Sequence, residues 1–144
     1  NSAKQTITIE DEIEYLETYI TIDNQRFDNR IQYEILVDDA IDMAGTKIPT
    51  MLIQPFVENI FKHAFDKVYS NPAFKIEFNL LEKKLLQIVI SDNGKGNIKA
   101  SKTHISKGIA IAKERLKIMQ PTNVDPIKID FSENGTTVNI RLII

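Results

Sequence analysis

The chain has 144 residues, of which 42% are hydrophobic and 26% charged, with a net charge of −2 and no cysteine. This length suits one compact domain, and the lack of cysteine excludes disulfides and thiolate metal sites. Lysine and arginine form no basic block, so nucleic-acid binding is not expected. Because no apolar run approaches the about 20 residues that cross a bilayer, and no secretory signal is recognisable, this piece is expected to be soluble.

The first elements are predicted to be a helix and a strand. Residues 8–26 carry an apolar stripe at helical spacing, with Thr8 as the N-cap and acidic residues in the first turn. Residues 31–37 alternate apolar and polar side chains. This alternation predicts a strand with one mostly polar face.

A second helix is predicted over about 49–66. Pro49 suits its first position, whereas Pro55 removes a backbone donor and is expected to kink or delay the regular helix. The apolar stripe of this helix, which predicts a buried face, consists of Ile53, Phe56, Val57, Ile60, Phe61 and Ala64.

Two antiparallel hairpins are predicted in the remainder of the chain. Strands 74–80 and 86–90 are joined by a short polar connection, and strands 127–131 and 138–142 are joined around Asn134-Gly135. A polar loop over 93–107 and a helix over 108–119 lie between the two hairpins. The apolar face of a sheet of five such strands must be covered by other elements. This predicts a two-layer α/β (α+β) sandwich: a mostly antiparallel mixed sheet with helices on one face.

The second helix also has a polar face, formed by Glu58, Asn59, Lys62, His63 and Asp66. A solvated helix face is the ordinary explanation of such a pattern. The alternative is a ligand site, since carboxylate and amide oxygens suit Mg2+ and a lysine neutralises phosphate.

Three further segments could each be either an ordinary turn or part of a binding site. Asp92 follows an apolar strand and could accept a hydrogen bond from an adenine amino group, with Gly94 and Gly96 supplying positive φ for close approach to a ligand. Gly108 opens a helix whose N-terminus would attract phosphate. Residues 134–137 read by themselves as a hairpin turn.

The order and spacing of these segments resemble the ATP-binding domain of LytS-type sensor histidine kinases, of the ATPase superfamily shared with gyrase and MutL. Residues 54–63 resemble the family's N box, 92–96 its first glycine box and 108–116 its second, and Gly135-Thr136 matches the closing Gly-Thr. The family's leading helix is matched at Glu12, Tyr19, Ile22, Arg26 and Phe27. The resemblance covers residues 7–144 and implies a Bergerat-type ATP-binding fold.

The resemblance implies a catalytic group on the second helix. Asn59 would coordinate Mg2+, and Glu58 beside it would act as general base or support the metal. Lys62 would contact phosphate, and His63 would flank the nucleotide.

The resemblance also implies an adenine side to the site. Asp92 would bind adenine, Gly94 and Gly96 would shape the pocket, Gly108 would lie beneath the phosphates, and Thr136 would support the adenine end.

Residues 94–107 would form the ATP lid, which is expected to be the least ordered segment and to become ordered with nucleotide. Lysines of this segment, which are Lys95, Lys99, Lys102 and Lys107, could contact phosphate. Ala110 departs from the family pattern, which favours glycine there, and this departure leaves nucleotide affinity open.

The resemblance implies a histidine kinase module that binds Mg2+ and ATP. Residues 1–28 would lead from an upstream dimerisation and phosphoacceptor domain, and 29–144 would form the catalytic domain. His63 and His104 are assigned to the site and the lid, so this fragment is not expected to autophosphorylate. The whole protein is expected to be a membrane-associated homodimer with a cytoplasmic kinase domain, acting on a response regulator. The alternatives are a weak nucleotide-sensing module and a serine kinase or ATPase of the same superfamily.

Overall fold

The structure, a computed structural model, describes residues 5–95 and 107–144. The helix Gln54–Asn59 continues directly into a π-helical turn, Ile60–Ala64. None of the described helices combines the length and the apolar character needed to cross a membrane. The elements in chain order are β1 (Thr6–Thr8), α1 (Ile9–Asn24), β2 (Gln32–Val37), β3 (Lys47–Pro49), α2 (Gln54–Asn59), β4 (Ala73–Glu82), β5 (Leu85–Asp92), α3 (Lys107–Met119), β6 (Ile127–Ser132) and β7 (Gly135–Ile143).

The main sheet has five strands in the order β2-β4-β5-β7-β6. The β2–β4 pair is parallel and the other three pairs are antiparallel. Alternate side chains of the strands, such as Ile76, Ile88 and Ile140, are fully buried and face the helices. The opposite face is polar and carries hydrogen-bonded amides, with Asn79 donating to Gln87 over 3.2 Å. The predicted mixed, mostly antiparallel sheet with helices on one face is therefore confirmed.

Helix α1 begins where its sequence predicts. The hydroxyl of Thr8 accepts a hydrogen bond from the backbone N–H of Asp11 at 3.1 Å, which confirms Thr8 as the N-cap. Leu16 and Ile20 of its apolar stripe are fully buried. The α-helix ends at Asn24, and one turn of 3-10 helix follows it.

The predicted start of the second helix at Pro49 is wrong. Pro49 ends β3, a three-residue strand paired antiparallel with β1, and α2 starts only at Gln54. The fixed φ of proline suits an extended strand as well as a first helical turn, so the sequence did not decide between them. Pro55 lies within the first turn of α2, where the missing N–H costs no intrahelical hydrogen bond.

Phe61 lies at the centre of the contact between the helices and the sheet. Its ring is 6.1 Å from that of Tyr19 in α1, 6.0 Å from that of Phe27 and 5.8 Å from that of Phe74 in β4, measured between centroids. Aromatic pairs at such distances add to the free energy gained by burial. Phe61 therefore fixes helix 54–64 against both α1 and the sheet.

Glu12 of α1 is an acidic residue inside this core, with only 3% of its surface exposed. Burial raises the pKa of Glu12 to about 7, although the backbone N–H of Ile53 opposes the shift by favouring the carboxylate. Its Oε2 has no hydrogen-bond partner among the described residues. The domain therefore keeps a carboxyl group at the contact between α1 and the start of α2 that is costly to ionise.

This burial predicts how stability depends on pH. The pKa of Glu12 is higher in the folded than in the unfolded chain, so its contribution to the free energy of unfolding is fully present below about pH 4.3 and is lost as pH rises through about 7. Glu12→Gln should remove this dependence, and its free energy of unfolding at pH 8 should exceed that of wild type by roughly 3 kcal/mol. Urea unfolding from pH 4.5 to 8 measures it, with the exposed Glu10→Gln as control. Parallel curves for wild type and Glu12→Gln would contradict the assignment.

Candidate functional site

Glu58 of α2 is half-buried and held by a residue one helical turn earlier. The side-chain amide of Gln54 donates to its Oε2 over 3.1 Å. Burial raises the pKa of the Tyr19 hydroxyl in α1 most, followed by the charge and hydrogen bond of Asp23. The charge of Glu58 adds a smaller increase, so Glu58 also lies near α1. No role was assigned to Gln54 from the sequence, although it begins the segment that resembles the N box; its four-residue spacing from Glu58 was the available signal.

The other three predicted residues of this helix point to a more open surface. Asn59 is half-buried, whereas Lys62 and His63 are exposed. Within the described part of the chain, no hydrogen bond involves the Asn59 side-chain amide. Lys62 and His63 lie in the π-helical turn, a form that is rare and recurs at functional sites. An accessible amide oxygen beside a lysine suits a magnesium–phosphate ligand.

Asp92 is the last residue of β5 and is partly buried. Its Oδ1 accepts a hydrogen bond of 2.8 Å from the backbone N–H of Gly94. Burial raises the pKa of Asp92, and the backbone N–H groups of Gly94 and Thr136 oppose this shift. Pairing of β5 with β7 places Thr136 opposite Asp92. The structure therefore brings Asp92, Gly94 and Thr136 together.

Gly94 is needed for close packing and not for the positive φ that was predicted. The one described glycine with a positive φ is Gly135. A Cβ atom at Gly94 would lie 2.5 Å from the carbonyl oxygen of Ala64 and 2.8 Å from its Cβ. The N–H of Lys95 donates to the same carbonyl at 3.2 Å. The residues after β5 are thus pressed against the end of helix 54–64, next to His63.

Gly135 makes a second close approach, at the turn between β6 and β7. Its φ is 136°, and a Cβ there would lie 1.9 Å from the carbonyl oxygen of Asp92. Only glycine meets both conditions without strain. The sequence had suggested a hairpin turn and a role for Thr136, but the backbone contact of Gly135 with Asp92 could not be read from the pattern.

Asn93 and Lys95 fix the segment on either side of Gly94. The side chain of Asn93 accepts from the N–H of Ala73 and donates to the carbonyl of Asn71, both over 2.9 Å. Lys95, proposed from the sequence as a phosphate contact, forms a 2.7 Å ion pair with Asp66. Both of these ionic side chains are largely exposed, so the pair contributes little to stability.

Helix α3 begins at Lys107, one residue before the predicted start at Gly108. Lys107 is exposed, Gly108 is half-buried, and α3 contacts α2. Ala110 is exposed within the helix and has no positive φ, so no glycine is needed there. Gly96 and the predicted lid over 96–106 lie outside the described residues.

The curated relatives of the chain include two proteins from staphylococci. An uncharacterised sensor-like histidine kinase of Staphylococcus epidermidis is 34% identical over 108 residues, covering 75% of this chain and 20% of that protein. The sensor histidine kinase/phosphatase LytS of Staphylococcus aureus is 26% identical over 146 residues, covering 98% of this chain and 21% of that protein. The chain thus spans about a fifth of the length of these relatives. No family model matches it.

Solved structures of histidine kinases share the fold. The nucleotide-free catalytic domain of the histidine kinase ThkA has a TM-score of 0.66 at 12% identity, covering 96% of this chain and 93% of that domain. The chain is thus a homologue of the LytS-type sensor histidine kinases and has the fold of a histidine kinase catalytic domain. A complex of ThkA with the response regulator protein TrrA matches this domain with a TM-score of 0.58 at 13% identity, covering 96% of this chain and 41% of that one.

The packing of Gly94 predicts a loss of stability on enlargement. Gly94→Ala should lower the free energy of unfolding by about 1–3 kcal/mol, because the added methyl group meets the Ala64 backbone. Thermal and denaturant unfolding of the domain without nucleotide measure this loss. Gly45→Ala is the matched control, since its nearest contact is the movable Asp42 carboxylate and its expected cost is about 0.5 kcal/mol or less. Equal stability of wild type and Gly94→Ala would show that the close contact does not exist.

Proposed function

We propose that this domain binds Mg-ATP and donates the γ-phosphoryl group to a histidine on a domain outside the given sequence. The observation that carries the proposal is the partly buried Asp92 carboxylate, set between the residues that follow β5 and the start of β7. Phosphoryl transfer needs positioning and charge neutralisation more than covalent help from the protein. The names of the relatives favour kinase activity over the nucleotide-sensing alternative.

Adenine would lie against Asp92. Its carboxylate accepts a hydrogen bond from the backbone N–H of Gly94 and retains further acceptor capacity for the adenine amino group. Guanine carries a carbonyl at the equivalent ring position, which a carboxylate cannot bind. Thr136, opposite Asp92 in the β5–β7 pair, would contact the same end of the nucleotide, and Gly94 and Gly96 would shape its pocket.

The phosphates would lie along the open face of helix 54–64. The Asn59 amide oxygen would take one position around Mg2+, which neutralises phosphate charge when bound. Lys62 and Lys107 would neutralise the remaining charge, His63 would flank the nucleotide, and the N-terminus of α3 at Gly108 would face a phosphate.

Glu58 would act beside the reacting phosphate as general base. In the transfer, the bond between the γ-phosphorus and its bridging oxygen breaks while a phosphorus–nitrogen bond forms to the acceptor histidine, leaving ADP. A proton leaves the imidazole nitrogen in the same step, and Glu58, held by Gln54, would accept it or orient the ring.

The wider setting of the domain follows the relatives. Sensor kinases of this kind act on a response regulator, and the complex of ThkA with TrrA supports such a partner here. We place residues 1–28 as the helix leading from an upstream dimerisation and phosphoacceptor domain, and 29–144 as the catalytic domain. The whole protein would be a membrane-associated homodimer with this domain in the cytoplasm.

The adenine assignment predicts the effect of removing Asp92. Asp92→Ala should weaken Mg-ATP binding about 10- to 100-fold, since a hydrogen bond to a charged group contributes about 1.5–3 kcal/mol. Isothermal titration calorimetry gives the dissociation constants, with Asp130→Ala, an exposed acidic residue of β6, as control. The adenine role of Asp92 fails if Asp92→Ala and wild type bind Mg-ATP equally well.

The metal assignment predicts a loss that depends on magnesium. Asn59→Ala should weaken ATP binding roughly 10-fold with Mg2+ and much less with a chelator, because the amide oxygen would contact the ion. Its melting temperature without nucleotide should match wild type, since no described group depends on that amide. A loss of the same size with and without Mg2+ would remove Asn59 from the metal.

A further inference from the structure

Thr50 joins three parts of the domain that are distant in sequence. It follows directly after β3 and begins the turn 50–53, in which Met51 has a φ of 61°. Its N–H donates to the carbonyl of Gln5 at 3.0 Å, and its hydroxyl lies 3.4 Å from the same oxygen. The turn therefore links the β1–β3 ribbon, which leads into α1, to the start of α2.

Arg115 of α3 holds the same residue from another element. One guanidinium nitrogen donates to the carbonyl of Thr50 and a second donates to its hydroxyl at 3.1 Å. Arg115 is half-buried, and its planar group makes both bonds in one orientation. A lysine carries its three donors on one nitrogen atom, so it lacks the two separate, coplanar nitrogens that bind the carbonyl and the hydroxyl here.

Arg115 lies two turns after Gly108 on the same side of α3. Seven residues advance a helix by about 10 Å and return to nearly the same face. Buried Ile109, Ala112 and Leu116 fix the helix to the core along its length. Displacement of the N-terminus of α3 would therefore be transmitted along the helix to the Arg115–Thr50 contact.

The turn is also contacted by α1. The backbone N–H of Ile53, the last residue of the turn, lies close enough to the buried carboxyl of Glu12 in α1 to oppose the rise of its pKa. Ile53 has no side-chain cap for α2, so the start of that helix depends on contacts from elsewhere. Turn 50–53 is thus held by α3 through Arg115 and by α1 through Glu12.

We infer that Arg115 is a positioning residue that couples nucleotide binding at the start of α3 to the β1–β3 ribbon and α1. Arg115 touches no reacting atom and acts through Thr50. This inference rests on the proposed function, because the coupling needs a nucleotide at α3. It adds a route by which the occupied site and the helix that leads toward the upstream domain influence each other, reciprocally, as linkage requires.

The test combines calorimetry with amide hydrogen exchange on wild type, Arg115→Gln and Arg115→Lys. The control is Lys117→Gln, an exposed cation two residues further along α3. Saturating Mg-ATP should slow exchange at residues 5–8 and 47–53 of wild type and of the control. Arg115→Gln should lose this response while still binding nucleotide, about 5-fold or more weakly, and Arg115→Lys should restore part of it.

Thr50→Val provides a second variant if Arg115→Gln does not fold, since it removes one of the two acceptors and keeps the side-chain shape. Its response should be intermediate. The coupling is disproved if saturating nucleotide leaves the ribbon of wild type unchanged, or if Arg115→Gln keeps the full response. A wild-type domain that binds no nucleotide in calorimetry would instead overturn the proposed function, and this inference with it.

Discussion

Two glycines determine where the end of β5 lies, and the rest of the site depends on them. Gly94 leaves room for the Ala64 carbonyl, and Gly135 leaves room for the Asp92 carbonyl. A side chain at either position would separate the sheet from helix 54–64 or from the β6–β7 turn. The carboxylate of Asp92 therefore sits at a fixed place relative to both, and the polar face of the helix comes beside it.

The apolar side of helix 54–64 fixes the helix against the rest of the domain. Phe61 packs against rings of α1 and β4. The helix thus carries ligand-facing polar groups on one side and contacts with α1 on the other. A movement of α1 would shift the polar groups without breaking the fold, which is a physical basis for control of such a site by the segment that precedes it.

Much of this was predictable from the sequence, because the signals were periodic or local. Alternation identified the five strands, helical spacing identified the buried stripe that includes Phe61, and Thr8 marked its helix. The β1–β3 ribbon was missed, since three-residue strands carry no periodic signal and Pro49 suits either conformation. The reason for Gly94 was wrong because its contact, Ala64, lies thirty residues away in the sequence, where local patterns hold no information.

The central claim is that adenine nucleotide binds where the end of β5, helix 54–64 and the start of α3 meet. Titration of Mg-ATP into isotope-labelled domain, followed by backbone amide chemical shifts, tests it most directly. We expect saturable shifts at Asn59, Asp92, Gly94, Gly108 and Thr136, and little change on the exposed face of α1 around Thr18. Saturable shifts confined to other surfaces, or none at millimolar nucleotide, would contradict the account.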